Sequence, residues 1–228
     1  MNLNESKEVV KKSWDWIWNS DSIWSWFIAL GLIFLFVKFI FFPTLSLLTG
    51  SSLPLAGVES SSMDHRITKN SIEKLELCGN QYSKKEHINF NEYWDICGEW
   101  YEKKDISKEM FSDFTLRNGF SKGDIIIVWG RFEPKIGDII IFKPNQESKA
   151  PRPIIHRIVK INADKTYQTK GDHNSDQLQG LPQHNYTDET TISKDQIIGK
   201  AIFKIPFLGW IKIWLTEFIN KLTPKNFF

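Results

Sequence analysis

The sequence contains little cysteine, and it carries no excess of charge of either sign. Two cysteines, Cys78 and Cys97, occur among 228 residues, so no framework of several disulfides holds the fold. The 29 basic residues nearly balance the 27 acidic ones, and the formal net charge is +2. The sequence has no basic stripe of the kind that binds nucleic acid, so we do not expect nucleic acid as a partner. Internal repeats and low-complexity tracts are also absent.

Apolar residues, by contrast, are plentiful. They make up 41% of the sequence, enough for one membrane segment and one sizeable globular core. The longest apolar run covers residues 23–42, and a helix of that length rises about 30 Å, the thickness of the hydrocarbon core of a bilayer. This run exceeds the apolar region of a typical signal peptide, so we predict a membrane anchor across residues 23–48. Lys38 can reach the interface from near the end of the run, and Pro43 is predicted to end the helix.

The segment before the anchor, residues 1–22, is polar but carries an apolar stripe. Val10, Trp14, Ile17 and Trp18 recur at spacings that place them on one helical face. We predict a helix that lies at the membrane interface, with a solvated tail as the alternative. Three lysines precede the anchor in this segment, so the positive-inside rule puts the N-terminus in the cytoplasm and most of the chain on the far side of the membrane.

Three consecutive serines, Ser60 to Ser62, follow soon after the anchor. Alone, such a run is typical of a flexible linker. A serine hydroxyl becomes a good nucleophile only when a positioned base takes its proton, and that base needs a group to orient it. A histidine, His156, lies in the apolar stretch 154–159, and two carboxylates, Asp172 and Asp176, lie in the turn-rich stretch 170–176. Together these segments can supply all three groups.

From residue 123 onward the pattern becomes that of β-strands, so the fold is predicted to be mainly β. Strict alternation in the third strand places His156 on one face with two isoleucines. A core histidine hydrogen-bonded for structure is the alternative to a catalytic base at this position. The predicted strands, rich in β-branched and aromatic residues, are Ile125–Trp129, Ile139–Phe142, Ile154–Ile161 and Tyr167–Lys170.

Taken together, these stretches resemble signal peptidase I, and the histidine makes them similar to the archaeal and endoplasmic-reticulum branch of that family. The family pattern Ser-x-Ser-Met matches residues 60–63, which implies Ser62 as the nucleophile and Ser60, with Ser62, as the oxyanion hole. His156 matches the base. The acidic segment matches the one that holds the orienting acid, for which we favour Asp176, with Asp172 in support. Further matches in the family's order are residues 122–124, 136–138, 169–172 and 205–209.

The resemblance implies a membrane-bound serine endopeptidase that removes signal peptides from exported precursor proteins, with no cofactor and no metal. Its partners are these precursors, with small residues one and three places before the cut, and the lipid bilayer of the cell membrane. A signal-peptidase-like β catalytic domain is expected at residues 49–205, outside the cytoplasm, and a membrane-interface helix and tail at 206–228. A catalytically silent, membrane-anchored β module that binds a partner on the outer face is the alternative.

The chain departs from the family pattern in two places. His65 stands two residues after the methionine, where the family usually has proline, and a long insertion covers residues 69–121. Short helices are predicted in the insertion at 89–104 and 107–117. Cys78 and Cys97 can form a disulfide in an oxidising compartment or remain free thiols, whereas a metal site with His87 lacks the tight spacing of a zinc signature.

Two further histidines, His173 and His184, fall in or after the acidic segment, and both are expected at the surface. The acidic segment itself is compatible with a plain polar turn, and a calcium loop is disfavoured because the terminal glutamate is missing. The apolar face of residues 207–222 suits a membrane surface, with packing against the domain as the alternative.

Overall fold

The computed structural model of the chain describes residues 3–69, 74–150, 152–210 and 214, with only the backbone for residues 3–5. The chain divides into two compact units, Met1–Leu48 and Thr49–Phe228. We describe each unit by itself.

The first unit is helical. Helix α1 spans Leu3–Asn19, and the rings of Trp14 and Trp18 lie 5.6 Å apart on one face of it, as the sequence predicted. Helix α2, Ile23–Phe36, begins after Ser22, whose carbonyl accepts hydrogen bonds from both the amide and the hydroxyl of Ser25. The apolar helix from Ile23 to Thr49 is long and apolar enough to cross a membrane, by length and composition alone.

Pro43 does not end this helix, contrary to the prediction. A π-helical turn at Val37–Phe41 comes first, and in it the amide of Phe42 donates to the carbonyl of Val37, five residues earlier. Helix α3 then runs from Phe42 to Thr49. Pro43 therefore lies in the first turn of α3, where a helix does not need the amide hydrogen that proline lacks.

The second unit is mainly β, which confirms the predicted fold class of a β domain behind an apolar helix. The four strands predicted from the sequence have the predicted bounds. Five further strands within the described residues were not predicted. In chain order the strands are β1 (Leu55–Gly57), β2 (Thr68–Lys69), β3 (Leu75–Leu77), β4 (Asn80–Gln81), β5 (Ile125–Trp129), β6 (Ile139–Phe142), β7 (Ile154–Ile161), β8 (Tyr167–Lys170) and β9 (Ile197–Ile205).

Six of these strands form one antiparallel sheet in the order β1-β5-β9-β6-β7-β8. The four residues of β6 are all buried, because both faces of the sheet are covered there. Ile139 and Ile141 belong to one apolar cluster, whereas Ile140 packs with Ile158 in another. Ile140 of β6 pairs with His156 of β7. Because side chains alternate along β7, His156 and its neighbour Arg157 point to opposite faces of the sheet.

The insertion folds onto the sheet as a small layer of its own. Strands β2, β3 and β4 form a three-stranded sheet, and helices α4 (Phe90–Glu102) and α5 (Lys108–Ser112) follow. Asn89 caps α4, because its side chain accepts hydrogen bonds from the amides of Asn91 and Glu92, while its own backbone amide donates to the carboxylate of Glu92. The prediction of a helix at 89–104 is confirmed, and the second helix is shorter than predicted.

A disulfide joins Cys78, just after β3, to Cys97 in α4. This settles the alternative left open by the sequence and removes both sulfurs as metal ligands. Val159 of β7 packs with the apolar residues of the insertion, so the insertion covers the face of the sheet that carries the odd-numbered residues of β7. The predicted interfacial helix at 207–222 lies outside the described residues beyond Trp210, apart from Trp214.

Candidate active site

The start of the serine stretch is hydrogen-bonded to the two residues just before β5. The amide of Val58 donates to the carbonyl of Asp124, and the amide of Gly123 donates to the carbonyl of Val58, each at 2.9 Å. The half-buried Ser62 follows, and its Oγ lies 3.1 Å from Oγ of Ser60. The two serines assigned to the nucleophile and the oxyanion hole are therefore in contact with each other.

Ser61 is oriented differently from its two neighbours. Its hydroxyl donates to the carbonyl of Lys69 in β2, at 3.1 Å. The main chain of Ser62 is fixed from the other side, because its carbonyl accepts a hydrogen bond of 2.9 Å from the amide of His173. Of the three serines, Ser60 and Ser62 therefore have their hydroxyls next to each other, whereas the Ser61 hydroxyl is bonded elsewhere.

Ser62 and His156 both lie next to Gly171. A Cβ on Gly171 would lie 2.8 Å from Nε2 of His156 and 2.8 Å from the carbonyl oxygen of Ser62. Both groups therefore border one point, and only a glycine leaves it open. Within the described residues Nε2 of His156 has no hydrogen-bond partner, so it is available to a proton donor. Contacts between a nucleophile and its base often tighten only when substrate binds.

The other ring nitrogen of His156, Nδ1, is bonded to a carboxylate that the sequence reasoning missed. Its partner is Oε1 of Glu189, whose side chain is fully buried. The same Oε1 accepts a hydrogen bond of 2.8 Å from the hydroxyl of Thr169, and Oε2 accepts one of 2.9 Å from the amide of Leu178. An ionised carboxylate only accepts, so Nδ1 carries the proton, and in the neutral ring Nε2 is free to act as a base.

Glu189 reaches this position through its backbone. The amide of Thr169 in β8 donates to the carbonyl of Glu189 at 2.9 Å, and the amide of Glu189 donates to Leu178 at 2.8 Å. Three residues further on, Ile192 forms a bridge with Tyr167, at the start of β8. The stretch around Glu189 thus runs along β8 and places its carboxylate on the same face of the sheet as His156.

Asp172, one of the two predicted orienting acids, bonds elsewhere. Its carboxylate accepts hydrogen bonds from Nε and Nη2 of Arg157, at 3.0 and 2.6 Å, and from the hydroxyl of Tyr101 at 3.0 Å. His65 lies at the same carboxylate, with its Nε2 3.0 Å away. Because Arg157 points to the face opposite His156, the carboxylate it attracts lies on that opposite face. Burial alone would raise the pKa of Asp172, but the charge of Arg157 and the hydrogen bonds from His65 and Arg157 hold it far below its usual range.

Asp176, the favoured orienting acid, is exposed and lies away from His156. Its Oδ1 accepts hydrogen bonds from the indole of Trp100 at 3.0 Å and from the amide of Gln177 at 2.8 Å. Neither predicted aspartate therefore contacts His156, and the prediction of that contact is corrected to Glu189.

The departure at His65 is explained by the insertion. The His65 ring stacks on the ring of Tyr93 in α4, with centroids 3.6 Å apart and planes 5° from parallel. Tyr93 in turn donates to the backbone carbonyl of Asp172 at 2.9 Å. Burial lowers the pKa of His65, although Asp172 opposes the shift. His65 and the insertion thus enclose the buried pair of Arg157 and Asp172, a role that proline cannot fill.

Lys170 is a further buried cation in this region. Its Nζ donates to the carbonyl of Gly171 at 3.0 Å and lies about 5 Å above the rings of Trp100 and Tyr101 of the insertion. Burial lowers the pKa of Lys170 to about 8, against the opposing charges of Asp172 and other nearby carboxylates. Lys170 thus faces the insertion, whereas His156 lies on the side of Ser62.

A groove of about 1210 Å³, which we call the serine groove, runs past Ser62. His173 lines it and is 2% exposed, so the prediction of a surface position for His173 is wrong. Among the described residues, no three side chains of His, Cys, Asp or Glu are grouped so that they could hold a metal ion. The serine groove is bordered by Ser60, Ser61, Ser62, Thr68, Ile154 and His173, among others.

Comparison with known proteins confirms the resemblance to signal peptidases. The relatives found are signal peptidase complex catalytic subunits, named SEC11. That of Colletotrichum graminicola is 29% identical over 46% of this chain and 60% of its own length, and that of Scheffersomyces stipitis is 31% identical over 45% and 61%. The chain thus spans less than two thirds of the length of these relatives. No protein-family model matches the chain.

Proposed function

We propose that the protein is a membrane-anchored serine endopeptidase that cleaves signal peptides from exported precursor proteins. The observation that carries the proposal is the convergence at Gly171, where Ser62 and Nε2 of His156 border one point while Glu189 holds Nδ1. The similarity to SEC11 catalytic subunits supports the substrate class, and the apolar helix from Ile23 to Thr49 supports the anchor.

In this proposal the Ser62 hydroxyl attacks the carbonyl of the scissile peptide bond. Nε2 of His156 takes the hydroxyl proton and then returns it to the leaving amine, while Glu189 keeps the ring in the required tautomer. The amide of Ser62 and the hydroxyl of Ser60 donate to the oxygen that becomes negatively charged. Water then hydrolyses the acyl group on Ser62, with His156 again as the base.

The substrate and the location follow from the same proposal. A precursor whose signal peptide lies in the bilayer presents its cleavage site just outside the headgroups, within reach of a domain that is anchored in the same membrane. The lysines before the apolar helix favour a cytoplasmic N-terminus, and the proposal therefore assigns the catalytic domain to the outer face of the cell membrane.

A single incubation tests this function. The full-length protein, purified in detergent, is mixed with a preprotein, and the new N-terminus is read by mass spectrometry. We expect one cut, with small residues one and three places before it. Absence of any cut, together with absence of Ser62 labelling by an acylating penem, would contradict the proposal and favour a catalytically silent β module.

A further inference from the structure

Two successive peptide groups in the loop at residues 171–174 connect the insertion to the candidate active site. The first joins Asp172 to His173. Its carbonyl accepts a hydrogen bond of 2.9 Å from the hydroxyl of Tyr93 in α4, and its amide donates to the carbonyl of Ser62 at 2.9 Å. A trans peptide group is planar, and its C=O and N–H point to opposite sides. Tyr93 and the main chain of Ser62 therefore hold one rigid group from its two ends.

The next peptide group, between His173 and Asn174, repeats this pattern. Its carbonyl accepts a hydrogen bond of 2.9 Å from the amide of Cys78, just after β3, and its amide donates to the carbonyl of Gly171 at 2.9 Å. Gly171 is the residue next to which the proposed nucleophile and the proposed base both lie. In both peptide groups the carbonyl is thus bonded to the insertion and the amide to the segment that forms the site.

The two donors from the insertion are joined covalently to each other's elements. The disulfide links Cys78 to Cys97, and Cys97 lies four residues after Tyr93, on the same face of α4. Tyr93 is fully buried and Cys97 nearly so. Neither Tyr93 nor Cys78 is among the residues that line the serine groove, so neither is placed to touch a substrate. An effect of these residues on cleavage must therefore pass through the loop at 171–174.

We propose that Tyr93 and Cys78 are positioning residues for the proposed reaction, and that the disulfide keeps both in place. Through the two peptide groups they fix the main chain of Ser62 and the turn at Gly171, and thereby the approach of the Ser62 hydroxyl to Nε2 of His156. A misplacement of about 1 Å at reacting groups can cost about 10²-fold in rate, so a slight loosening is measurable. The inference rests on the proposed function, and it makes turnover depend on a closed disulfide in the insertion.

The first test removes one hydroxyl in the full-length protein, purified in detergent. Tyr93→Phe keeps the ring that stacks on His65 and loses only the hydrogen bond to the loop. We expect kcat for a precursor peptide to fall about five- to tenfold with KM unchanged, because one hydrogen bond is lost and the groove is not altered. Acylation of Ser62 by a penem should slow by the same factor. Thermal unfolding confirms that the variant is folded at the assay temperature.

Tyr82→Phe is the matched control for this substitution. Tyr82 belongs to the insertion and packs, half-buried, against the same apolar cluster as Tyr93. Its hydroxyl has no hydrogen-bond partner among the described residues. We therefore expect kcat, KM and the acylation rate of Tyr82→Phe to equal those of the unmodified protein.

The second test opens the disulfide in the unmodified protein. A dithiol gives two electrons and two protons to the disulfide, which becomes two thiols, while the dithiol closes to its own disulfide. We expect kcat to fall about tenfold, with KM unchanged, and to recover on reoxidation. The double variant Cys78→Ser, Cys97→Ser should have the lower kcat from the start and should not respond to the dithiol. Adding Tyr93→Phe to it should cost less than Tyr93→Phe alone, because both changes loosen one loop.

The two proposals fail separately. Absence of both cleavage and penem acylation in the unmodified protein would overturn both. If the unmodified protein cleaves, but Tyr93→Phe and the reduced protein are folded and keep its kcat, only the positioning inference is overturned. A change in KM instead of kcat, or an equal loss in Tyr82→Phe, would overturn it as well. If Tyr93→Phe does not fold, the response of kcat and KM to the dithiol decides.

Discussion

Glu189 accepts a hydrogen bond from Nδ1 of His156, and His156 is only 4% exposed. The next residue of the strand, Arg157, is bonded on the opposite face to a different carboxylate, that of Asp172. Adjacent residues of β7 thus hold two acids with separate roles. The first pair belongs to the proposed chemistry, and the second holds the insertion against the sheet.

Glu189→Gln should lower kcat by about 10²–10⁴-fold with little change in KM. A glutamine amide can donate to Nδ1, and this favours the tautomer in which Nε2 carries the proton and cannot accept one from Ser62. Steady-state cleavage of a precursor peptide measures the effect. Asp176→Asn is the control, and its kcat should stay near that of the unmodified protein. Equal losses in the two variants would contradict the role of Glu189.

Asp172→Asn should destabilise the domain by about 3–5 kcal/mol, because it leaves Arg157 buried without its charge partner. The pKa of Asp172 is lowered in the folded state, so its contribution is fully present above the unfolded pKa of about 3.9 and is lost as the pH falls below that value. Unfolding followed from neutral to acidic pH measures both effects. A variant whose stability falls on acidification as steeply as that of the unmodified protein would contradict this account.

Lys170 predicts a pH effect of the same sign as that of Asp172, but at alkaline pH. Its pKa is about 8 when folded and about 10.4 when unfolded, so between these values the unfolded chain binds more protons and stability rises with pH. Lys170→Met should remove this rise while peptide cleavage at pH 7 continues. Unfolding midpoints between about pH 8 and pH 10 test the first part. Complete loss of cleavage in a folded Lys170→Met protein would point to Lys170 as the base.

Loss of the disulfide should destabilise the domain by about 3 kcal/mol, since it closes a loop between residues 19 positions apart. The double variant Cys78→Ser, Cys97→Ser is compared with the unmodified protein by denaturant unfolding, with and without a reducing thiol. The thiol should shift only the protein that has both cysteines. Equal midpoints in all four samples would show that the disulfide does not contribute.

The sequence predicted the strands that are simple runs, and it missed four strands of two or three residues and the longest described strand, β9. β5 to β8 are rich in β-branched residues and are bounded by turns. β9 carries Gly199 and two lysines, and bulges shift its register against both neighbours, so its burial pattern does not alternate. Lys200 is paired with Asp138 at 3.0 Å, a contact that no local pattern reveals. The central strand of the sheet therefore went unrecognised.

The same distinction applies to the candidate site. Motifs were sufficient to single out Ser62 and His156 from the sequence. Glu189 lies 33 residues from His156 and reaches it only through backbone contacts with β8, so no spacing rule points to it. For Asp172 a signal was present: strict alternation in β7 sends Arg157 away from His156, and a buried arginine on that face attracts the nearest carboxylate.

The central claim, that Ser62 is the nucleophile, is tested most directly by cleavage of one precursor with three single variants of the serine stretch. Ser62→Ala should abolish cleavage. Ser61→Ala should retain most of it, because the Ser61 hydroxyl is bonded to Lys69. Ser60→Ala, which removes one donor to the oxyanion, should lower kcat about 10²–10³-fold. Equal loss in Ser61→Ala and Ser62→Ala, or full cleavage by Ser62→Ala, would contradict the claim.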